Sequence, residues 1–138
     1  MKIVILEDES RAVNHLVRLI GEVAPHMELT GTFETVSEAL AFLKQDPPVD
    51  LIFSDVQLAD GTSFEIFSKI RIHCPIIFTT AYDTYAIEAF NTNGIDYLLK
   101  PIEGKRLQQA IEKAKAFSSG RELDALVNLI SPRAVSYT

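Results

Sequence analysis

Cysteine occurs once in this 138-residue chain, at Cys74, and tryptophan not at all. One thiol excludes an internal disulfide framework and makes a reducing, cytoplasmic setting the expectation. Beside Pro75, Cys74 reads as a small buried hydrophobe. Basic charge is scarce too: 13 Lys and Arg stand against 19 Asp and Glu. That balance excludes a general polyanion-binding surface, which needs clustered cations. No apolar run approaches the ~20 residues of a membrane helix. The opening "MKIVILEDES" is too short and too acidic for a signal peptide. The three histidines, His15, His26 and His73, have no metal-ligand spacing and read as surface or loop residues. No repeat, low-complexity tract or glycine-rich phosphate loop appears.

What is present is a core and a rhythm. Nearly half the residues are apolar, enough for one domain of ordinary size. "KIVIL" is a short β-branched run that stops at Glu7, Asp8 and Glu9, as a buried strand would. Val13, Leu16, Val17, Ile20 and Val23 follow at helical spacing, with Ser10 as a possible cap and Pro25 as the stop. "MELTGTF" predicts a weaker edge strand, "SEALAFLKQ" a helix, "LIFS" a strand and "FEIFSKIR" a helix. "PIIFTT", "YAIEAFNTN" and "DYLLK" continue as strand, helix and strand, and Lys105 to Phe117 predicts a fifth helix. Five alternations with continuously apolar central strands imply a parallel sheet buried on both faces. Right-handed crossovers make it doubly wound, with helices on both sides.

In such a sheet every strand ends at one edge, where ligands bind. The strand ends carry Glu7 and Asp8, then Asp55, Thr80, and finally Lys100 with Pro101. Three crowded carboxylates repel unless a cation joins them. Oxygen donors without His or Cys select Mg²⁺. Lys100 suits an anion bound beside the metal, and Thr80 a hydrogen bond to that anion. The set predicts phosphoryl transfer with Asp55 as nucleophile. Helix capping is the plain alternative for each acid alone. It suits Glu9 at the first helix, while Asp60 and Asp83 read as turn residues. Capping does not explain Asp8, Asp55, Thr80 and Lys100 together.

The pieces "ILEDE", "LIFSDVQL", "FTTAY" and "DYLLKP" stand in an order that resembles receiver domains of two-component response regulators, from Met1 to about Ser118. "AYDTYAIEAFNTNGIDYLLKPI" resembles those of the LytTR (LytR/AlgR) class, whose full-length members carry a DNA-binding domain. The resemblance implies a flavodoxin-like sheet of strand order 2-1-3-4-5. It implies Asp55 as the phosphoacceptor, with Mg²⁺ held by Asp8, by Glu7 through water, by Asp55 and by the Gln57 main-chain carbonyl. It makes Thr80 the switch hydroxyl, Lys100 the phosphate-pairing lysine, Tyr97 the switch aromatic and Lys100–Pro101 a cis bond. Many members have two aspartates where Glu7 and Asp8 stand, and many have a proline soon after the acceptor that "DVQLADG" lacks.

The function expected is a phosphorylation switch fed by a sensor histidine kinase. It controls transcription through an output domain and has at most slow autophosphorylation and autodephosphorylation. Residues 1–118 form the receiver, and 119–138 a linker or helical extension, with Leu123, Leu126, Val127 and Ile130 at helical spacing before Pro132. Phosphorylation is expected to promote a homodimer through the fourth helix, fifth strand and fifth helix, around Tyr85, Ile87, Phe90, Lys105 and Gln109. Two other readings compete. One is a stand-alone phosphorelay receiver. The other is a Mg²⁺-dependent phosphatase of the haloacid dehalogenase class, which needs an aspartate two residues after the nucleophile, where Gln57 stands.

Overall fold

Strand β1 (Lys2–Leu6) is buried from Ile3 onward because it lies inside the sheet with helices on both faces. A computed structural model describes residues 1–81 and 94–130, with side chains of the last helix as far as Phe117. The chain runs through α1 (Ser10–Val23), β2 (Glu28–Phe33), α2 (Val36–Leu43), β3 (Leu51–Asp55), α3 (Phe64–Lys69), β4 (Ile76–Thr80), β5 (Gly94–Leu99) and α4 (Gly104–Ile130). The four pairings of the five-stranded sheet are parallel, in the spatial order β2-β1-β3-β4-β5. That is the expected doubly wound, flavodoxin-like sheet.

Alternate residues of each strand face opposite ways, so each central strand feeds two cores. Ile3, Ile5, Leu51, Phe53 and Ile77 pack beneath α1 and α4, where Leu16, Ile20, Leu107 and Ile111 meet them. Val4, Leu6, Ile52, Ile76 and Phe78 pack on the other side against α2 and α3, through Ala39, Leu43, Phe64 and Ile66. This two-sided demand explains strands that are apolar throughout. The edge strand β2 is mostly exposed and correspondingly polar.

Several expectations need adjusting. Ser10 does not cap α1: Glu9 holds the cap position, without a side-chain hydrogen bond, and Ser10 is the first helical residue. Leu19, not Val17, completes the buried stripe of α1, and Val17 is 40% exposed. His15 is half-buried, its Nε2 3.0 Å from the Ile102 carbonyl oxygen. β5 begins two residues before "DYLLK", at Gly94. The last helix continues past Phe117 to Ile130 as one element. Gly120 lies within it at a cost of only ~1 kcal/mol, and no proline intervenes. The expected fourth helix, with Asp83, Tyr85, Ile87 and Phe90, lies outside the described residues, while Lys105 and Gln109 are exposed on α4.

Two acids hold the frame. Thr35 caps α2 by accepting from the Glu38 N–H at 3.0 Å. Asp60, 24 residues away, caps the same helix by accepting from Val36 N–H at 2.6 Å and Ser37 N–H at 3.2 Å. The bond from Val36 holds the Asp60 carboxyl below its ordinary value against some burial. Asp96, on β5 and only 4% exposed, takes both Arg106 amino groups of α4, with Lys113 at 3.4 Å. Burial pushes the Asp96 carboxyl up, but the bonds from Arg106 and the Tyr97 N–H, with the charges of Arg106 and Lys113, together outweigh it and the net shift is down.

Removing Arg106 leaves Asp96 buried without its main partner. Arg106→Ala is expected to destabilise by about 2 kcal/mol, below the range for fully buried pairs because the arginine is half-exposed. Asp96 has a depressed value, so its contribution is present above the ordinary 3.8 and lost as pH falls through the lower folded value. Urea unfolding checks this: the Arg106→Ala deficit should shrink towards acid pH, and a constant deficit would argue that the pair is not its source.

Candidate functional site

Strand register builds the site. Leu6 of β1 pairs with Ser54 of β3, so Glu7 lies level with Asp55. Asp55 pairs with Thr79, and Thr80 pairs with Leu99, which brings Lys100 to the same edge. The Lys100 N–H donates to the Thr80 carbonyl at 2.8 Å, closing the β4–β5 end. The Lys100–Pro101 peptide is cis.

At this edge one carboxylate oxygen from each of Glu7, Asp8 and Asp55 lies within 4.8 Å of the others. Glu7 and Asp55 are buried; Asp8 is exposed at the mouth. The Lys100 ammonium reaches between them, 2.6 Å from Glu7 Oε1 and 2.9 Å from Asp55 Oδ2. The other Asp55 oxygen accepts from the Gln57 N–H at 3.2 Å. The other Glu7 oxygen accepts from the Glu9 N–H at 3.2 Å. Thr80 is buried at the end of β4. Tyr97 is half-buried on β5, packed against the core beneath α2 and α3.

After Asp55 the chain forms a small antiparallel ribbon, Gln57–Leu58 with Gly61–Thr62. Gly61 has φ +155°, a conformation that favours glycine, and a Cβ there would collide with Glu65 Oε2. Asp60, expected as a turn residue, lies in the turn that joins the ribbon's two sides. The ribbon's signal was the "ADG" turn between alternating residues.

Three negative charges face one ammonium, and the electrostatics follow. Burial first, and the Asp55 charge second among the raising causes, push Glu7 up to about 7 despite its bond to Lys100. Burial lowers Lys100, but the hydrogen bonds it donates to Glu7 and Asp55, with their charges, together more than reverse it, so the lysine is raised and stays cationic. Glu7 is an acid with a raised value. It therefore favours the fold fully below its ordinary 4.5, and that contribution is lost as pH rises from there to about 7. Melting temperature is expected to fall across that window, and Glu7→Gln, which mimics the protonated acid, should flatten it. An unchanged slope in Glu7→Gln would mean another group titrates. A small cation reaching the acids reverses the preference, so Mg²⁺ affinity should rise with pH up to about 7, as calorimetry can measure.

All donors in the acidic group are oxygens, and their surplus negative charge fits a hard divalent cation. A sequence model described as "Response regulator receiver domain" matches residues 3–112. The chain belongs to the response regulator receiver domain family. It is 41% identical over 118 residues to the sensory transduction protein LytR of Staphylococcus saprophyticus, covering 83% of this chain and 46% of that protein. It is 39% identical over 136 residues to a transcriptional regulatory protein LytR of Staphylococcus aureus, covering 95% of this chain and 54% of that one. The crystal structure of the response regulatory domain of protein mrkE from Klebsiella pneumoniae superposes with a TM-score of 0.74 at 33% identity, over 84% of this chain and 96% of that one. The chain thus spans about half the length of the curated relatives it matches.

The register accounts for the strand-end residues of this receiver. Asp96 and the second cap from Asp60 were not among the site candidates. Asp96 sits in "DYLLK" like any strand residue, and only the meeting of β5 with α4 reveals its partners. Among the described residues no helix is long and apolar enough to cross a membrane.

Proposed function

We propose that this receiver is a phosphorylation switch in which Asp55 accepts a phosphoryl group from a phosphohistidine of a sensor kinase. The observation that carries the reading is the Lys100 ammonium held 2.6 Å from Glu7 and 2.9 Å from Asp55 inside an acidic group. An Asp55 oxygen attacks phosphorus; the O–P bond forms as the P–N bond breaks, and its electron pair returns to the imidazole. Lys100 gives up part of its pairing with Asp55 to meet the new phosphoryl oxygens, and the Gln57 N–H holds the other Asp55 oxygen in place. Glu7, Asp8, Asp55 and the Gln57 carbonyl are the residues that would hold Mg²⁺. The ion would supply charge neutralisation for the entering phosphoryl oxygens.

The switch then runs from Thr80 to Tyr97. Phosphorylation adds charge and acceptors at the edge, drawing the Thr80 hydroxyl towards them and opening space for the Tyr97 ring. The shift can be no larger than the difference in affinity of the two conformations for the phosphoryl group. On the resemblance to the LytTR class, residues 119–138 lead to a DNA-binding output domain, and a phosphorylation-dependent homodimer presents two of them to DNA half-sites. The setting is cytoplasmic. The domain does not turn over phosphate rapidly, because Gln57 stands where a phosphatase of the haloacid dehalogenase class needs an aspartate.

Intact-mass spectrometry with acetyl phosphate tests the reading. One phosphoryl group per chain is expected with Mg²⁺ and none with a chelator. Sustained hydrolysis of p-nitrophenyl phosphate would favour the phosphatase instead.

A further inference from the structure

The loop after Asp55 is tied to a helix it does not follow in sequence. Asp60, at the tip of the small ribbon, accepts from the Val36 N–H at 2.6 Å, the Ser37 N–H at 3.2 Å and the Ser37 hydroxyl at 3.1 Å. The Ala59 N–H donates to the Glu34 carbonyl at 3.3 Å beside it. At the other end of the same ribbon the Gln57 N–H reaches Asp55 Oδ1 at 3.2 Å. The ribbon is only two residues deep on each side, so a displacement at its tip is transmitted to Gln57. Helix α2 has a second cap of its own in Thr35, whose side-chain hydrogen bonds go to Glu38.

We infer that Asp60 is a positioning residue for the phosphoacceptor site: by clamping the ribbon to the start of α2 it holds the Gln57 main chain against Asp55. The inference rests on the proposed phosphoacceptor reading and adds a residue to it. Asp60 touches neither the nucleophile nor the acidic group. Its effect is on the aim of an Asp55 oxygen and on the main chain that would complete the metal shell. Partners bonded directly to a metal ligand alter affinity by roughly 10–100-fold when removed, and Asp60 acts one contact further out, which points to the lower end of that range.

The test compares Asp60→Ala, Asp60→Asn and Thr35→Ala in the full 138-residue chain. Calorimetry with Mg²⁺ alone gives one readout, and the rate of labelling by acetyl phosphate a second. Asp60→Ala and Thr35→Ala each remove a cap from the same helix, so both should lower the melting temperature. Only Asp60→Ala should weaken Mg²⁺ binding, by about ten-fold, and slow labelling. Asp60→Asn keeps an oxygen for the Val36 N–H and should recover part of both. Wild-type affinity in Asp60→Ala overturns the inference, as does an equal loss in Thr35→Ala, which would reduce the effect to helix stability. If the wild-type chain itself binds no Mg²⁺ and takes no label, the phosphoacceptor reading fails and the inference with it.

Discussion

Asp55→Asn should take no phosphoryl label under conditions where the wild-type chain is labelled fully, and yet fold more stably. The first half follows from chemistry: a carboxamide oxygen cannot form the acyl phosphate. The second follows from the charges at the strand edge. Three carboxylates share one ammonium, and Asp55 is among the causes that raise Glu7 to about 7. Asparagine removes one of the two buried carboxylates, while Lys100 keeps its 2.6 Å bond to Glu7. We expect a gain on the order of 1 kcal/mol above neutral pH, from one removed like-charge pair. Urea unfolding measures it. Normal labelling of the variant would refute Asp55 as acceptor, and a loss of stability would refute the crowding of the acids.

Lys100→Ala should have the opposite effect on the fold and the same effect on labelling. It leaves Glu7 and Asp55, with side chains 5% and 10% exposed, without a counter-charge. Breaking a buried pair from one side costs about 3–5 kcal/mol, and the lysine, itself 21% exposed, points to the lower end. The pH dependence identifies the source. Lys100 lowers the Glu7 value through its hydrogen bond, so its loss lets Glu7 rise above about 7. Protonated Glu7 needs no counter-charge, so the deficit should be smaller in acid and grow as pH rises through about 7. A deficit independent of pH would assign the effect to lost packing of the lysine stem.

These two residues, and the acids beside them, were legible because of where they fall. Central strands buried on both faces are largely apolar, so the charges they carry fall where the strand leaves the sheet, whereas the edge strand β5 also holds Asp96 within it. "LIFSD" and "YLLK" therefore mark both the end of a strand and the line of a crevice. The doubly wound layering was readable for the same reason, since continuous apolar runs require cover on both faces, while the strand order came only from the family resemblance. The rest depended on distances that sequence does not carry. Asp60 looks like a turn residue, and as one it does sit at the ribbon tip, but its second role depends on a helix 24 residues away. Asp96 finds Arg106 only because β5 and α4 pack together. In α1, Val17 and Leu19 both fit a helical stripe within the tolerance of spacing, and the direction in which the helix rolls on the sheet chose Leu19. The helix expected to end at Phe117 runs on through Gly120, because helix propensity alone is too weak to end a helix without a proline or a competing cap.

The central claim is that one side chain, Asp55, carries the phosphoryl group. Borohydride reduces an aspartyl phosphate to homoserine and leaves free carboxylates and phosphohistidine unreduced. The decisive measurement is peptide mapping of the chain after acetyl phosphate and Mg²⁺ treatment followed by borohydride. The account predicts homoserine at position 55 alone, and none when Mg²⁺ is chelated. Homoserine at position 8 or 60, or a stable phosphoryl group on His15, His26 or His73, would contradict it.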